Sequence, residues 1–485
     1  MQFRHLPLLA CSLAILTYSA VASAQSRPVR PRPINRQHEE WKTQADQAYR
    51  VGDFQKSIEL TDRVLRADPN DHVAMYLRGS ARVDLGAQQG DAELVRNGIS
   101  DAREAIKIVN RVQIDYYLPY LFGMSQLAAI EGNTRHAETA REVASGLLKM
   151  SKVTDAEKAN IAFQRAQLDL QLQDNPAALA DFEQATQFEP QHLPAHLSRC
   201  DLLLQMNGPD DAELAFADVV KRFPTEPMVF NNRGMFFQGF GRTSEAQADF
   251  SRAIELDPEF TYAYTNRAFS RLQAGRFSDA LADLNKSIEI DPDQPSAYSL
   301  RGTAFLQTGD ARSALTDYET ALKLHPESPQ LRADVGFAQF FGGQYGAALS
   351  SFDSAQEADP QAKFLDPWRA AALVAQGRQS DAEQTFAGLI EKPAADREWF
   401  DVLTLLVLGK VTDNETLSAI SGADEQAADA QRCEAMYFIG QRRLADNQPE
   451  EAELFFRQAL ESKAPHLSAY RGAQFALGDF GVTAE

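Results

Sequence analysis

An internal period of 34 residues constrains the fold of this sequence more than any other feature. The period is carried without a slip by six prolines: Pro190, Pro224, Pro258, Pro292, Pro326 and Pro360. Three further tracks keep the same spacing, one of alanine (Ala178, Ala212, Ala246, Ala280, Ala314, Ala348), one of small residues (Ala166, Cys200, Gly234, Ala268, Gly302, Gly336) and one of bulky residues (Phe182, Phe216, Phe250, Leu284, Tyr318, Phe352). A fixed period in this size range is the signature of a repeat array, in which each unit packs on its neighbours.

Each period has room for two antiparallel helices and two turns. We expect the small residues where the two helices cross at close range, and the bulky residues in the space between neighbouring pairs. Each repeated proline ends a second helix, whereas Pro227, Pro295 and Pro329 begin the next first helix, where a missing N–H costs nothing. The turns inside each pair are predicted at glycines, which adopt the left-handed conformation freely: Gly241, Gly275, Gly309 and Gly343.

The units at residues 227–259, 261–292 and 295–326 resemble near-consensus members of the tetratricopeptide repeat family. They carry its small, aromatic and proline positions, and weaker units lie on either side. The resemblance implies an all-α fold. It implies a right-handed superhelical solenoid of about twelve helical hairpins, with a C-terminal capping helix at about residues 467–477.

The sequence divides into six segments on these signals. They are a signal peptide (1–24), a basic Pro/Arg-rich tether (25–36), irregular N-terminal units with an insertion near 88–95 (37–158), six regular units (159–362), C-terminal units with a degenerate one at about 397–432 and the capping helix (363–479), and a tail (480–485).

The signal peptide is predicted from Arg4, an apolar run over residues 6–21 and the small triplet Ala22-Ser23-Ala24. Cleavage before Gln25 predicts a periplasmic or secreted protein without a membrane span, because no later apolar stretch has the required length. The alternative is a lipoprotein box ending at Cys11, which is disfavoured because the apolar run continues beyond it.

Charge and composition narrow the class of partner. The formal net charge is −20 and the pI is about 4.9, so a nucleic-acid partner is not expected. The exception is the basic stretch at residues 26–36, interpreted as an extended tether, with a contact to an anionic envelope surface as the alternative. Cys200 and Cys433 are interpreted as small buried residues.

A repeated arginine could form a ladder for anionic ligands. The track is Arg165, Arg199, Arg233, Arg267 and Arg301. Aspartates follow four of these arginines by sixteen residues: Asp181, Asp249, Asp283 and Asp317. The matched tracks favour ion pairs between helices instead.

The resemblance also indicates a binding surface. Members of the family line a concave groove with first-helix residues and often use asparagine at the sixth position to hold an extended peptide. Asn232 and Asn266 match that position, whereas Ser198, Leu300 and Asp334 in other units do not. The predicted peptide-binding residues are Asn232 and Asn266 with flanking Met235, Tyr262, Phe269, Gln273 and Phe337. The alternative is that the two asparagines are ordinary solvated or inter-repeat residues.

Catalysis gains no support from the sequence. It has no phosphate loop, nucleophile elbow or Cys/His constellation, and we expect no cofactor and no metal. His192 and His196 lie close together, but Pro194 separates them at a repeat junction. His196 occupies the family's aromatic packing position.

The expected function is a non-catalytic scaffold or adaptor that binds partner proteins or extended peptides in the cell envelope. Residues 399–410, 432–440 and 470–473 resemble the carboxy-terminal module of bacterial envelope tetratricopeptide proteins, some of which bring cell-wall hydrolases together with their regulators. A periplasmic chaperone for exported or outer-membrane-bound polypeptides is the alternative, and an unrecognised enzyme is the third hypothesis. The partner and the oligomeric state are left open.

Overall fold

The computed structural model describes residues 36–109 and 113–479. The predicted signal peptide, nearly all of the tether and the tail lie outside these residues. Helices and short turns make up the described ranges, which divide into two compact units between Pro224 and Thr225. Many helices begin at a side-chain cap, as where Asp310 accepts a hydrogen bond from the backbone N–H of Ser313 at 2.9 Å.

The first unit contains ten α-helices in its described part: α1 (Arg36–Arg50), α2 (Phe54–Ala67), α3 (His72–Gln89), α4 (Ala92–Ile108), α5 (Tyr117–Glu131), α6 (Thr134–Leu148), α7 (Asp155–Gln171), α8 (Asn175–Phe188), α9 (Leu193–Met206) and α10 (Pro209–Arg222). A 3₁₀ turn, Ile114–Tyr116, precedes α5. The predicted insertion falls at the turn between α3 and α4, which have 18 and 17 residues and are each longer than the 13 and 14 residues of a regular pair.

The second unit contains sixteen α-helices in its described part: α11 (Pro227–Gly239), α12 (Thr243–Leu256), α13 (Thr261–Gln273), α14 (Phe277–Ile290), α15 (Pro295–Gln307), α16 (Ala311–Leu324), α17 (Pro329–Phe341), α18 (Tyr345–Ala358), α19 (Asp366–Ala375), α20 (Gln379–Thr385), α21 (Ala387–Ile390), α22 (Trp399–Val407), α23 (Asp413–Ser418), α24 (Glu425–Ala445), α25 (Pro449–Leu460) and α26 (Ser468–Asp479). Two short 3₁₀ turns, Lys363–Leu365 and Ala394–Asp396, precede α19 and α22.

Consecutive helices pack as antiparallel pairs within each unit. The described residues form twelve such hairpins, the four-residue helix α21 and the final helix α26, so the predicted all-α fold of about twelve helical hairpins is confirmed. The handedness of the superhelix stays a prediction. The degenerate stretch forms the short pair α22 and α23, and the predicted capping helix is α26, which packs on α24 and α25.

The interior of each hairpin corrects one expectation. The bulky residue covers the small residue of its own hairpin, and it does not lie only between neighbouring pairs. A Cβ added to Gly234 would lie 2.6 Å from Cε1 of Phe250, and one added to Gly336 would lie 2.6 Å from the ring of Phe352. The helices therefore cross so closely that an aromatic ring leaves no room for a methyl group beneath it.

The turn residues behave as the sequence predicts. Pro227, Pro295 and Pro329 lie in the first turn of α11, α15 and α17. The four turn glycines have φ values between +70° and +85°, which glycine adopts without steric cost: Gly241, Gly275, Gly309 and Gly343.

The arginine and aspartate tracks form ion pairs inside the hairpins. Arg267 donates from Nε and Nη2 to Asp283 at 2.9 and 2.7 Å, and the Asp283 side chain is 5% exposed. The equivalent bidentate pairs are Arg165–Asp181, Arg233–Asp249 and Arg301–Asp317. Because the guanidinium groups are engaged, the tracks do not form a ladder for anions. This confirms the predicted ion pairs.

The same guanidinium groups also reach the preceding hairpin. Nη1 of Arg267 donates to Oγ of Ser251 on α12 at 3.0 Å, and Nη1 of Arg301 donates to Oδ1 of Asn285 on α14 at 2.7 Å. Arg199 is the exception, because residue 215 is alanine, and its nearest acidic partner is Glu183 at 3.6 Å. Arg267 and Arg301 thus each join three helices.

Reversing the charge of Arg267 should lower stability. Arg267→Glu removes a bidentate pair and places a like charge beside the buried Asp283, which keeps only its ion pair with Arg271, so we expect a loss of about 3 kcal/mol. Thermal unfolding of the full chain followed by circular dichroism measures it. Lys286→Glu is the matched control in the same hairpin, because the Lys286–Glu289 pair is exposed and should be worth less than about 1 kcal/mol. An unchanged melting temperature for Arg267→Glu would contradict the assignment.

Adding one methyl group at the helix crossing should also destabilise the fold. Gly234→Ala drives a Cβ against the Phe250 ring and should cost about 1–3 kcal/mol through overpacking. Gly239→Ala is the control on the same helix, since its Cβ would meet nothing within 4 Å and it should be neutral or stabilising by up to about 1 kcal/mol. Equal melting temperatures for the two variants would disprove the close crossing.

Candidate functional site

The candidate site lies on the first helices of two neighbouring hairpins, α11 and α13. Residues spaced by three and four positions share one face of a helix. On α13 this spacing aligns Tyr262, Asn266, Phe269 and Gln273. Tyr262 is 54% exposed and Gln273 is exposed, whereas Asn266 and Phe269 are half-buried. The face therefore presents an amide between two aromatic side chains.

Hydrogen bonds join this face to α11. Asn266 donates from Nδ2 to Oδ1 of Asn231 at 2.9 Å, and Gln238 donates to Gln273. Asn231 also donates towards Oδ1 of Asn232 at 3.4 Å. We call these five side chains the amide row: Asn231, Asn232, Gln238, Asn266 and Gln273.

The amide row differs in one respect from the sequence prediction. Asn232 and Asn266 are equivalent by the 34-residue period, but Asn266 bonds to Asn231, one residue earlier on α11. The residues joined across the two helices are 35 apart in both observed pairs. Sequence reasoning missed Asn231 and Gln238 because it searched only at the repeat period.

The row is uncharged and has apolar neighbours. Met235, half-buried, receives a weak contact from Nδ2 of Asn231 to its Sδ at 3.7 Å. An amide side chain offers a donor and an acceptor in one plane, which matches the N–H and C=O groups of a peptide backbone. Asn231 is buried and fixes Asn266, whereas Asn232, Gln238 and Asn266 are half-buried and Gln273 is exposed. These four amides can therefore bind a main chain, while Tyr262 and Phe269 provide surface for side chains.

Phe337 does not belong to this exposed surface, which corrects its assignment as a flanking contact. It is 3% exposed, and its ring lies 5.1 Å from those of both Phe352 and Trp368. Trp368 of α19 also contacts Tyr437 and Phe438 of α24 at 5.0 and 5.1 Å. First-helix side chains at this end pack against one another and form a core.

The open surface ends near α15. Gln307, at the end of α15, donates from Nε2 to the carbonyl oxygen of Pro465 at 3.2 Å. Phe475 of α26 stacks on Phe341 of α17, with ring centroids 5.1 Å apart and planes 8° apart. The residues before α26 and α26 itself thus lie against α15 and α17, so the exposed first-helix face within this unit is that of α11, α13 and part of α15.

Four titratable side chains that the sequence singled out lie in the interior, outside the amide row. His192 caps α9, since its Nδ1 accepts from the backbone N–H of Ala195 at 3.1 Å, and burial lowers its pKa to about 4. His196 is buried and donates to the carbonyl oxygen of Pro190 at 3.1 Å. Cys200 and Cys433 are buried and free, as expected, and burial raises the pKa of both thiols to about 12. These groups maintain the fold of their hairpins.

Two observations concern other classes of site. In residues 36–109 and 113–479, no three His, Cys, Asp or Glu side chains are clustered so that they could hold a metal ion. Over the same residues, none of the helices combines the length and the apolarity needed to cross a membrane.

Solved structures similar to this chain include three tetratricopeptide or pilus-related proteins. The chain is similar to the pilF protein of Pseudomonas aeruginosa, at 18% identity over 43% of this chain and 95% of that one, with a TM-score of 0.38. A tetratricopeptide repeat protein from Parabacteroides merdae matches at 16% identity over 66% of this chain and 98% of that one, with a TM-score of 0.34. The first tetratricopeptide domain of Spaghetti (RPAP3), bound to an HSP90 peptide, matches at 24% identity over 24% of this chain and 90% of that one, with a TM-score of 0.23.

Sequence families give the clearest assignment. No curated protein matches the chain. A TPR repeat model matches residues 270–309. One tetratricopeptide repeat model matches residues 42–102 and 299–363, and a second one matches residues 229–260. These matches fall in both compact units, and those at residues 42–102, 229–260 and 299–363 lie over the hairpins of α1 to α4, α11–α12 and α15 to α18. The chain contains tetratricopeptide repeats, whose helical-hairpin fold is that of a protein–protein interaction scaffold.

Proposed function

We propose that the chain is a non-catalytic periplasmic adaptor that binds extended segments of partner proteins along the amide row. The observation that carries the proposal is the 2.9 Å hydrogen bond between Asn266 and Asn231, which holds two amides side by side across neighbouring hairpins. A row fixed in this way loses little side-chain entropy when a ligand binds, because its rotamers are already restricted.

The dimensions of the surface support a short ligand. The helices α11 and α13 have 13 residues each, which corresponds to about 20 Å at ~1.5 Å per residue. A fully extended peptide of about six residues spans the same length at ~3.3 Å per residue. The row has no charged member, so it recognises the main chain, and Tyr262, Phe269 and Met235 would select apolar side chains.

The non-catalytic part of the proposal is supported by the roles of the reactive groups. The carboxylates of the repeated aspartates are paired with arginines, as Asp283 is with Arg267. His192 is a helix cap, and burial raises the pKa of the Cys200 thiol to about 12, so that it stays protonated and unreactive at neutral pH. These are roles in stability, and a solenoid face provides no enclosed site for a transition state.

Removal of two amides should weaken capture of partners. In Asn232→Ala/Asn266→Ala, two backbone-binding side chains are lost at about 1 kcal/mol each, so affinity should fall about tenfold to thirtyfold. Pull-down from an envelope extract, quantified by mass spectrometry, measures the loss. Asn414→Ala, at an exposed asparagine of α23, is the control.

The same pull-down distinguishes the two proposed classes of protein. A few stoichiometric partners support the adaptor, whereas a broad set of unfolded clients would support the chaperone. Capture that is unchanged in the double variant would exclude the amide row as the binding surface.

The proposed location rests on the N-terminal sequence pattern and has its own test. Fractionation of the producing cells should recover a chain that begins at Gln25 in the osmotic-shock fluid, because signal peptidase cuts after the Ala22-Ser23-Ala24 triplet. Intact mass measurement checks this start. A lipid-modified chain that begins at Cys11 would establish the lipoprotein alternative, and recovery of the uncleaved chain in the cytoplasm would contradict export.

A further inference from the structure

The final helix has two packed faces, although a helix that only caps a stack needs one. Its first face lies on the last hairpin. A Cβ added to Gly472 would lie 2.6 Å from the Tyr437 ring of α24, and Ala473 and Leu477 are buried. This contact continues the regular stacking of the repeats.

The second face of α26 points to hairpins far earlier in the chain. Phe475 packs against an apolar patch that includes Leu306 of α15 and Val335, Ala338 and Phe341 of α17. The backbone just before α26 accepts the hydrogen bond from Gln307 to Pro465, across 158 residues of sequence. Two residues of this contact, Gln307 and Phe341, keep the 34-residue register of Gln273, a member of the amide row.

A charged group accompanies the aromatic contact. Arg471, four residues before Phe475, lies on the same side of α26. The Asp334 carboxyl of α17 is affected by two opposing influences: burial raises its pKa to about 6, while the Arg471 guanidinium and a hydrogen bond from Gln330 lower it. The two side chains therefore attract each other without forming a close ion pair.

The contact is incompletely satisfied. Nε of Arg471 and Oε1 of Gln474 are buried and have no hydrogen-bond partner among the described residues. A buried polar atom without a partner costs free energy that it recovers when the group returns to water. Release of this face is therefore favoured by hydration, whereas the aromatic stack and the apolar patch oppose it.

We propose that α26 is an intramolecular latch, which occupies the α15–α17 part of the groove and is displaced by a partner helix of the same chemistry. Such a helix carries an aromatic side chain four residues after an arginine, to match the apolar patch and Asp334. This inference rests on the proposed function, because release of α26 regulates partner binding only if the partner binds in the groove. When α26 is released, the groove extends beyond the amide row. The latch itself can be measured without any partner.

A synthetic peptide of residues 465–479 with a fluorescent label is the probe, and the full chain is the target. In the wild type the tethered helix has a high effective concentration and excludes the peptide. Phe475→Ala weakens only the tethered copy, so the peptide should bind this variant at least about tenfold more tightly than the wild type. Leu454→Ala, at a side chain of α25 that is 61% exposed, should behave as the wild type.

Hydrogen exchange of the same proteins gives the second readout. In Phe475→Ala, amides of α26 should exchange at least about tenfold faster, while those of α11 to α14 keep their protection. Gln307→Ala removes one hydrogen bond outside the core and should raise the exchange rate of the α26 amides by a smaller factor. Because this variant leaves the core intact, it tests the proposal even if Phe475→Ala misfolds.

Three results would overturn the proposal. The first is that the peptide binds the wild type and Phe475→Ala equally well. The second is that the amides of α26 exchange hydrogen together with those of α24 and α25, as one unit, in both proteins. The third is that the wild type is a dimer and that this dimer dissociates in the variant. The last result would assign α26 to a second copy of the chain. None of these results depends on the amide row, so failure of the latch and failure of the proposed function remain distinguishable.

Discussion

The crossing of two helices over a small residue is the constraint on which the rest of the structure depends. At Gly234 the Phe250 ring fills the space that a methyl group would occupy, and equivalent contacts recur at Gly302, Gly336 and Gly440. Close crossing brings the first helix near enough for its arginine to reach the aspartate of the second. Because packing inside protein interiors tolerates few voids, this spacing also sets where the exposed face of each first helix lies. The amide row is therefore a consequence of how the hairpins are built.

Most of the fold could be predicted from the sequence because its determinants are local and periodic. Helix-ending prolines, left-handed glycines and the arginine–aspartate spacing each act within one repeat or between neighbours, so the pattern contains all the information needed. The one error inside the hairpin concerned the bulky track. A period tells which residues are equivalent, but it does not tell whether Phe352 packs on Gly336 of its own hairpin or on the next one. That choice depends on the depth of the crossing.

The candidate site was predicted only in part, for two physical reasons. Contacts across neighbouring first helices join residues 35 apart, which a search at 34 does not reveal, so Asn231 was missed. Phe337 was assigned to an exposed surface because its position is concave in the family. In this chain Trp368 of the next hairpin packs on Phe337, and Tyr437 and Phe438 of α24 pack on Trp368 in turn. Contacts between distant hairpins, such as these and the Gln307–Pro465 hydrogen bond across 158 residues, have no periodic signature.

The arginine that joins three helices has a consequence for how such a chain can grow. Arg267 finds one acceptor on its own hairpin and another, Ser251, on the hairpin before it. The acceptor on its own hairpin lies sixteen residues after Arg267, and the acceptor on the preceding hairpin lies sixteen residues before it. Both contacts thus fall within about one repeat length of sequence. A gene duplication that copies one whole unit therefore also copies the polar contacts of the new junction. A deletion that ends inside a unit removes one partner and leaves the other charge buried without a counter-ion. Lengthening in whole units is consequently the route that preserves the fold.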